Sequence, residues 1–184
     1  MSAHTHDSKK SRISVKDMAF VAMFAALIAI CSMISIPVGE VPVTLQTFGV
    51  CLSAAMLGRR RGTLSVLIYI LLGAVGLPVF SGMRGGFGVL AGPTGGYIVG
   101  FLLTALIIGT AADRWGCRAL PLTLATALGV LTCYAAGTAW FMVVTGMRLG
   151  ESLLLCVVPF LIPDGVKIAA AVILSNRLSK VVKL

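Results

Sequence analysis

Charge is what this sequence has least of. Lys, Arg, Asp and Glu make up 11% of its 184 residues, and only six of those side chains are acidic. Soluble domains carry about 25% charged residues, so a charged, water-facing surface around a compact core is excluded. Catalytic and metal signatures are missing as well. The five cysteines (Cys31, Cys51, Cys117, Cys133, Cys156) lie far apart, with no Cys-x-x-Cys or Cys/His spacing to hold a metal. No glycine-rich run ends in Gly-Lys-Ser/Thr, so the chain does not hydrolyse ATP alone. There is no Gly-x-Ser-x-Gly, no His-Glu-x-x-His and no pair of carboxylates within the apolar segments. The first apolar run begins near Met18 and no small-residue cleavage site follows it, which marks a retained helix rather than a signal peptide.

What the chain does have is apolar length. Hydrophobic residues make up 58% of it and its mean hydropathy is +1.03. A membrane helix takes about 20 apolar residues, so the chain has room for about six. The pattern predicts an all-α membrane protein with helices over 17–36, 44–57, 63–77, 97–112 and 119–145, and a sixth between 151 and 177. The second and third are short for full spans and are joined by the turn Gly58-Arg59-Arg60-Arg61-Gly62. Residues 1–16, with His4 and His6, read as a polar, disordered tail, and 17–184 as one membrane domain.

The net charge of +9 would suggest nucleic acid in a soluble protein. In a membrane protein, basic residues instead hold the cytoplasmic ends of helices, and no nucleic-acid partner is expected. With the N-terminus inside, twelve basic residues fall on inner segments, and only Arg84 and Arg148 on outer loops. That asymmetry predicts six spans with both termini cytoplasmic.

Two charged residues interrupt the last apolar run. Asp164 and Lys167 stand at spacing i, i+3, on one helix face where they can partly neutralise each other. One reading of the run is a single span over 152–176 with the pair near mid-membrane. The other starts the helix at Pro163, a favoured first position, and runs it 18 residues, about 27 Å. The second is preferred: it places 151–161 as an outer cap and the pair in the first turn, just below the outer surface. Such a pair can serve packing, but ionisable groups inside a membrane mark functional sites by default. Loops rich in Pro, Gly, Thr and Gln gather on the same outer side, in 36–47 and 82–97, the plan of a pocket open to the exterior.

The first helix carries two small-xxx-small pairs, Ala22 with Ala26 and Ala25 with Ala29. They suit close helix approach, within the bundle or to a partner. Arg148 with Glu151, and Asp113 with Arg114, read as solvated loop pairs, and Trp115 and Trp140 as interfacial anchors or packing residues.

Four strings in order, Pro42-Val-Thr-Leu-Gln-Thr-Phe48, Gly76-Leu-Pro-Val-Phe80, Gly92-Pro-Thr-Gly-Gly-Tyr97 and Pro159-Phe-Leu-Ile-Pro-Asp164 with Lys167, resemble the BioY family over about residues 17–180. Those proteins are biotin-specific S components of energy-coupling-factor transporters in bacteria and archaea. The resemblance implies a six-helix S component in the cytoplasmic membrane of a prokaryote. It would capture biotin as substrate, use no cofactor and perform no catalysis. Its partners would be membrane lipid, a transmembrane coupling subunit and two cytoplasmic ATPases. Some family members occur without a dedicated energising module, so solitary transport is an alternative, as is an S component for another small vitamin. An enzyme using Asp164 as an acid or base would need a second catalytic group near it, and the sequence offers only a lysine. The resemblance also assigns Ala22, Ala25, Ala26 and Ala29 to the coupling subunit. Biotin's chemistry fits the residues: Asp164 can accept from ureido N–H groups, and Lys167 or Arg84 can meet the carboxylate. Thr44, Gln46 and Tyr97 are candidate polar contacts, and Phe48 and Phe80 candidate covers for the apolar chain.

Overall fold

The computed structural model describes residues 14–37 and 41–181. His4, His6 and most of the expected tail lie outside the described residues.

Helix α1 (Val15–Met33) opens where the Asp17 carboxylate accepts the Ser14 backbone N–H at 3.2 Å, an acid placed favourably in a first turn. It stops short of the expected residue 36. Ser35–Ile36 (β1) instead pair antiparallel with Val43–Thr44 (β2), with Ser35 opposite Thr44. This two-residue ribbon, rich in β-branched side chains, is a small departure from an all-α chain.

Helix α2 (Gln46–Ala74) merges the expected second and third helices. The five-residue turn shrinks to one non-helical residue, Gly58, at φ 74° and ψ −174°. A Cβ on Gly62 would lie 2.8 Å from the Ala54 Cα, whereas residues eight apart in a straight helix are separated by about 12 Å. The chain therefore doubles back at Gly58, where positive φ favours glycine. A Cβ there would also overlap the Asp113 carboxylate. Asp113 accepts the Arg59 backbone N–H at 3.2 Å, capping the second arm. Asp113 is thus a structural cap rather than half of a solvated pair with Arg114, whose guanidinium sits 5.8 Å from the Trp115 ring centroid.

The remaining helices are α3 (Phe87–Ala91), α4 (Gly95–Trp115), α5 (Ala119–Thr145), α6 (Leu149–Cys156) and α7 (Val158–Val181). Helix α5 has the predicted bounds. Helix α3 occupies part of the glycine-rich stretch expected to be a loop. At the C-terminal end neither reading holds fully: a separate short helix, α6, does precede the span, but α7 begins at Val158 and carries Pro163 inside it. Pro159, at its second position, loses nothing, since first-turn N–H groups have no helical acceptor. Pro163 leaves the Pro159 carbonyl without its helical donor.

Among the described residues, α1, α4, α5 and α7 are long and apolar enough to cross a membrane. Helix α4 is the centre of the bundle, with 61% of its apolar window buried against 33–39% for the others. It closes on α5 through small residues: a Cβ on Gly100 would be 3.1 Å from the Cys133 Sγ. The Thr104 hydroxyl, on α4, donates to the Gly129 carbonyl of α5 at 2.9 Å.

The alanines of α1 do not form one strip. Ala25 and Ala29 are buried against the bundle, whereas Ala22 and Ala26 are exposed. Residues three apart point about 60° away from each other around a helix, and the bundle edge falls between the two pairs. Ala25 and Ala29 are therefore packing residues, which corrects their assignment to a partner surface.

The bundle has two chemically different ends. Asp17 and Arg61 form an ion pair at 2.9 Å, and the Asn176 side chain donates to the Cys117 carbonyl at 3.0 Å. These contacts gather Lys16, Arg59–Arg61, Arg114, Arg118, Arg177 and Lys180 at one end. The ribbon, residues 75–94 and α6 form the other.

Candidate ligand-binding site

A cavity of about 770 Å³, counted out to its open mouth, lies at the end away from the basic cluster. Its wall is drawn from the ribbon, the start of α2, the 80–84 turn and helices α3 to α7. Most of the wall is apolar or aromatic, including Val41, Phe80, Ile98, Phe101, Val130 and Phe160.

Polar groups converge on its buried end. Asp164 and Lys167 are 3% and 7% exposed. The Lys167 ammonium donates to Asp164 Oδ1 at 2.6 Å, and the Tyr134 hydroxyl donates to Oδ2 at 2.5 Å. Asp164 falls in the second turn of α7, one turn deeper than expected, because the helix begins at Val158. The i, i+3 spacing does put both charges on one face, and the tyrosine from α5 completes a three-residue cluster. A buried ion pair of this kind gains little stability, since desolvation offsets the attraction; what it supplies is a fixed acceptor and two remaining ammonium protons facing a cavity.

Arg84 lies on the exposed part of the wall. The Phe80 N–H donates to the Arg84 carbonyl at 2.9 Å, closing a tight turn in which Gly82 and Met83 both take positive φ (71° and 55°). No ion-pair partner for Arg84 occurs among the described residues. Two cations and one carboxylate line the cavity, so its wall carries a formal charge of +1.

Gln46 and Thr44 also line it. The Gln46 N–H donates to the Thr44 hydroxyl oxygen at 3.2 Å, while the buried Gln46 Nε2 has no protein partner. Ser81 Oγ is likewise buried, unpartnered and on the wall. Leaving a buried polar atom unpaired costs about 1–3 kcal/mol, so these two atoms mark where a ligand's polar groups belong. The Tyr97 hydroxyl is already engaged, 3.1 Å from Thr138 Oγ1 and 3.4 Å from the Cys156 carbonyl. Its ring packs over Gly137, where any Cβ would collide with it, and so presents a face to the cavity. Phe80 is held in the same way over Gly73 and edge-on to Tyr69, with ring centroids 5.6 Å apart.

Of the eight predicted ligand contacts, the cavity brings together Thr44, Gln46, Phe80, Arg84, Tyr97, Asp164 and Lys167. Phe48 is the exception. It packs against the Phe24, Leu52 and Leu57 cluster between α1 and α2 and against the main core, two residues past the wall residue Gln46 and so on another face of the helix. Sequence reasoning missed Tyr134, Ser81, Thr47, Thr94, Cys133, Cys156 and Phe160. Phe160, Thr94 and Thr47 lay inside the four quoted strings; the others carried no signal.

Apolar helices enclosing a small-molecule cavity near one end define a membrane-embedded solute-binding protein. The chain belongs to the BioY family, whose model matches residues 5–184. It is 40% identical over 166 residues to the probable biotin transporter BioY of Pyrococcus horikoshii, covering 90% of this chain and 98% of that one. With the biotin transporter BioY of Thermotoga maritima it shares 41% identity over 167 residues, covering 90% and 97%. The fold matches a crystal structure of the S-component for biotin from an ECF-type ABC transporter, with a TM-score of 0.84 and 30% identity over 97% of this chain and 95% of that one.

Proposed function

We propose that this chain is a biotin-binding S component of an energy-coupling-factor transporter. Biotin offers a ureido ring with two N–H donors and one acceptor, an apolar chain and a terminal carboxylate. The observation that carries the reading is the layout of the cavity: Asp164, Lys167 and Tyr134 at its buried end, an apolar wall, and the uncommitted Arg84 on its exposed side. Asp164 accepts from ureido N–H, a spare Lys167 proton meets the ureido oxygen, and Arg84 takes the carboxylate. A wall charge of +1 complements a monoanion. Gln46, Thr44 and Ser81 supply neutral polar contacts, and Tyr97 and Phe80 flank the rings and the apolar chain.

The topology we propose has six crossings: α1, the two arms of α2, α4, α5 and α7. Both termini lie on the cytoplasmic side of a prokaryotic plasma membrane, with the basic end inward and the cavity facing out. Delivery inward is the work of a transmembrane coupling subunit and two cytoplasmic ATPases, with the exposed Ala22 and Ala26 pair as the docking strip. Titration of the purified chain with biotin tests the reading: sub-micromolar binding is expected, and binding no tighter than millimolar would overturn it.

A further inference from the structure

A second concavity lies at the opposite, basic end of the bundle. It is an open groove between the α4–α5 connection and the end of α7, lined by Trp115, Cys117, Arg118, Asn176, Ser179 and Lys180. Its frame is braced from both sides. The Asn176 amide donates to the Cys117 carbonyl at 3.0 Å, and the Cys117 thiol reaches the Ala55 carbonyl at 3.5 Å. Arg118 and Lys180 are exposed on the groove's rim, and Arg114 and Arg177 stand next to it in sequence. No carboxylate pairs with any of the four among the described residues. Asp113, the nearest acid in sequence, is committed to the Arg59 N–H. The groove also has an apolar skirt. Trp115 is exposed at its edge, and Leu120 and Leu124 on α5 and Ile173 on α7 are exposed along the flanking helices.

We propose that this groove binds the phosphodiester headgroup of an anionic phospholipid, independently of the ligand cavity at the other end. The charge is complementary: Arg118 and Lys180 meet the phosphate. Basic pockets between helices at this membrane level suit such headgroups, and an exposed tryptophan lies naturally at the interface. The acyl chains run along the exposed Leu120, Leu124 and Ile173, which carry the groove's apolar side into the bilayer. A free phosphate would use the same cations but none of this apolar skirt.

Native mass spectrometry of the full chain, extracted from bilayers of phosphatidylglycerol and phosphatidylcholine mixed equally, tests this directly. One retained phosphatidylglycerol per chain is expected, in clear preference to phosphatidylcholine. The Arg118→Gln/Lys180→Gln variant should lower that retention about thirtyfold. Lys16→Gln/Arg148→Gln, which removes the same charge elsewhere, should retain it. Excess inorganic phosphate should not displace the lipid. Wild-type chain without headgroup preference overturns the proposal, and that reading needs no variant to fold. Equal loss in the two double variants would reduce the effect to net charge, and displacement by phosphate would make the site one for the free anion; either result also overturns it.

Discussion

The Tyr134 hydroxyl donates to Asp164 Oδ2 at 2.5 Å, joining α5 to α7 at the buried end of the cavity. The Lys167 ammonium holds the other carboxylate oxygen, so Asp164 is clamped from both sides before any ligand arrives. Its remaining lone pairs point where these two donors leave room. Preorganisation of this kind lowers the cost of binding.

Tyr134→Phe should therefore weaken biotin binding by about 10-fold to 100-fold, the worth of a hydrogen bond to a charged group, while the helices stay folded. Calorimetric titration reads the effect. An unchanged Kd would mean that the tyrosine only packs.

The charge pair can be separated from the binding role by a cycle. Asp164→Asn or Lys167→Met alone should destabilise the bundle by about 3–5 kcal/mol, because each leaves a buried charge unpaired. The double variant should regain most of that stability in thermal unfolding and still fail to bind biotin. Wild-type affinity in the double variant would reduce the pair to a packing element.

Arg84 is assigned to the carboxylate, and a neutral ligand isolates that contact. Arg84→Ala should lower affinity for biotin about tenfold, a typical loss for one charge-assisted contact, yet leave binding of biotin amide nearly unchanged. Equal losses for acid and amide would place the carboxylate elsewhere.

On α1, Ala22→Trp should preserve fold and biotin binding but abolish uptake by cells that carry the coupling module. Ala25→Trp, three residues on, should lose the fold through overpacking, at a cost of about 1–3 kcal/mol or more. If both variants behave alike in purified form, the division of the helix into an inner and an outer face is wrong.

The legible parts of this site were those where a residue stood out against its surroundings. Asp164 and Lys167 are conspicuous because charge in an apolar run is costly, and Arg84 because the outer loops hold almost no other cation. Tyr134 was invisible for the opposite reason. A tyrosine within the apolar run of α5 looks like packing, and its partner lies 30 residues away in sequence. The alanine pairs share one spacing, so nothing in the sequence says which faces inward; only the neighbours of α1 decide it. The last apolar run offered a start near residue 152 or at Pro163, and α7 begins between the two, at Val158. The break at Gly58 was visible, but the cap supplied by Asp113 from another helix was not.

The cavity wall begins at Val41 and ends at Lys167. No half of the chain contains the site, so a truncated or partly inserted polypeptide has nothing with which to hold the ligand. Occupancy then stabilises only the finished fold, by about 2.7 kcal/mol when free ligand stands at 100 times Kd. A ligand retained through purification would thus report that the chain has been completed and threaded correctly, and vitamin-starved cells should hold a larger share of copies exposed to membrane proteolysis.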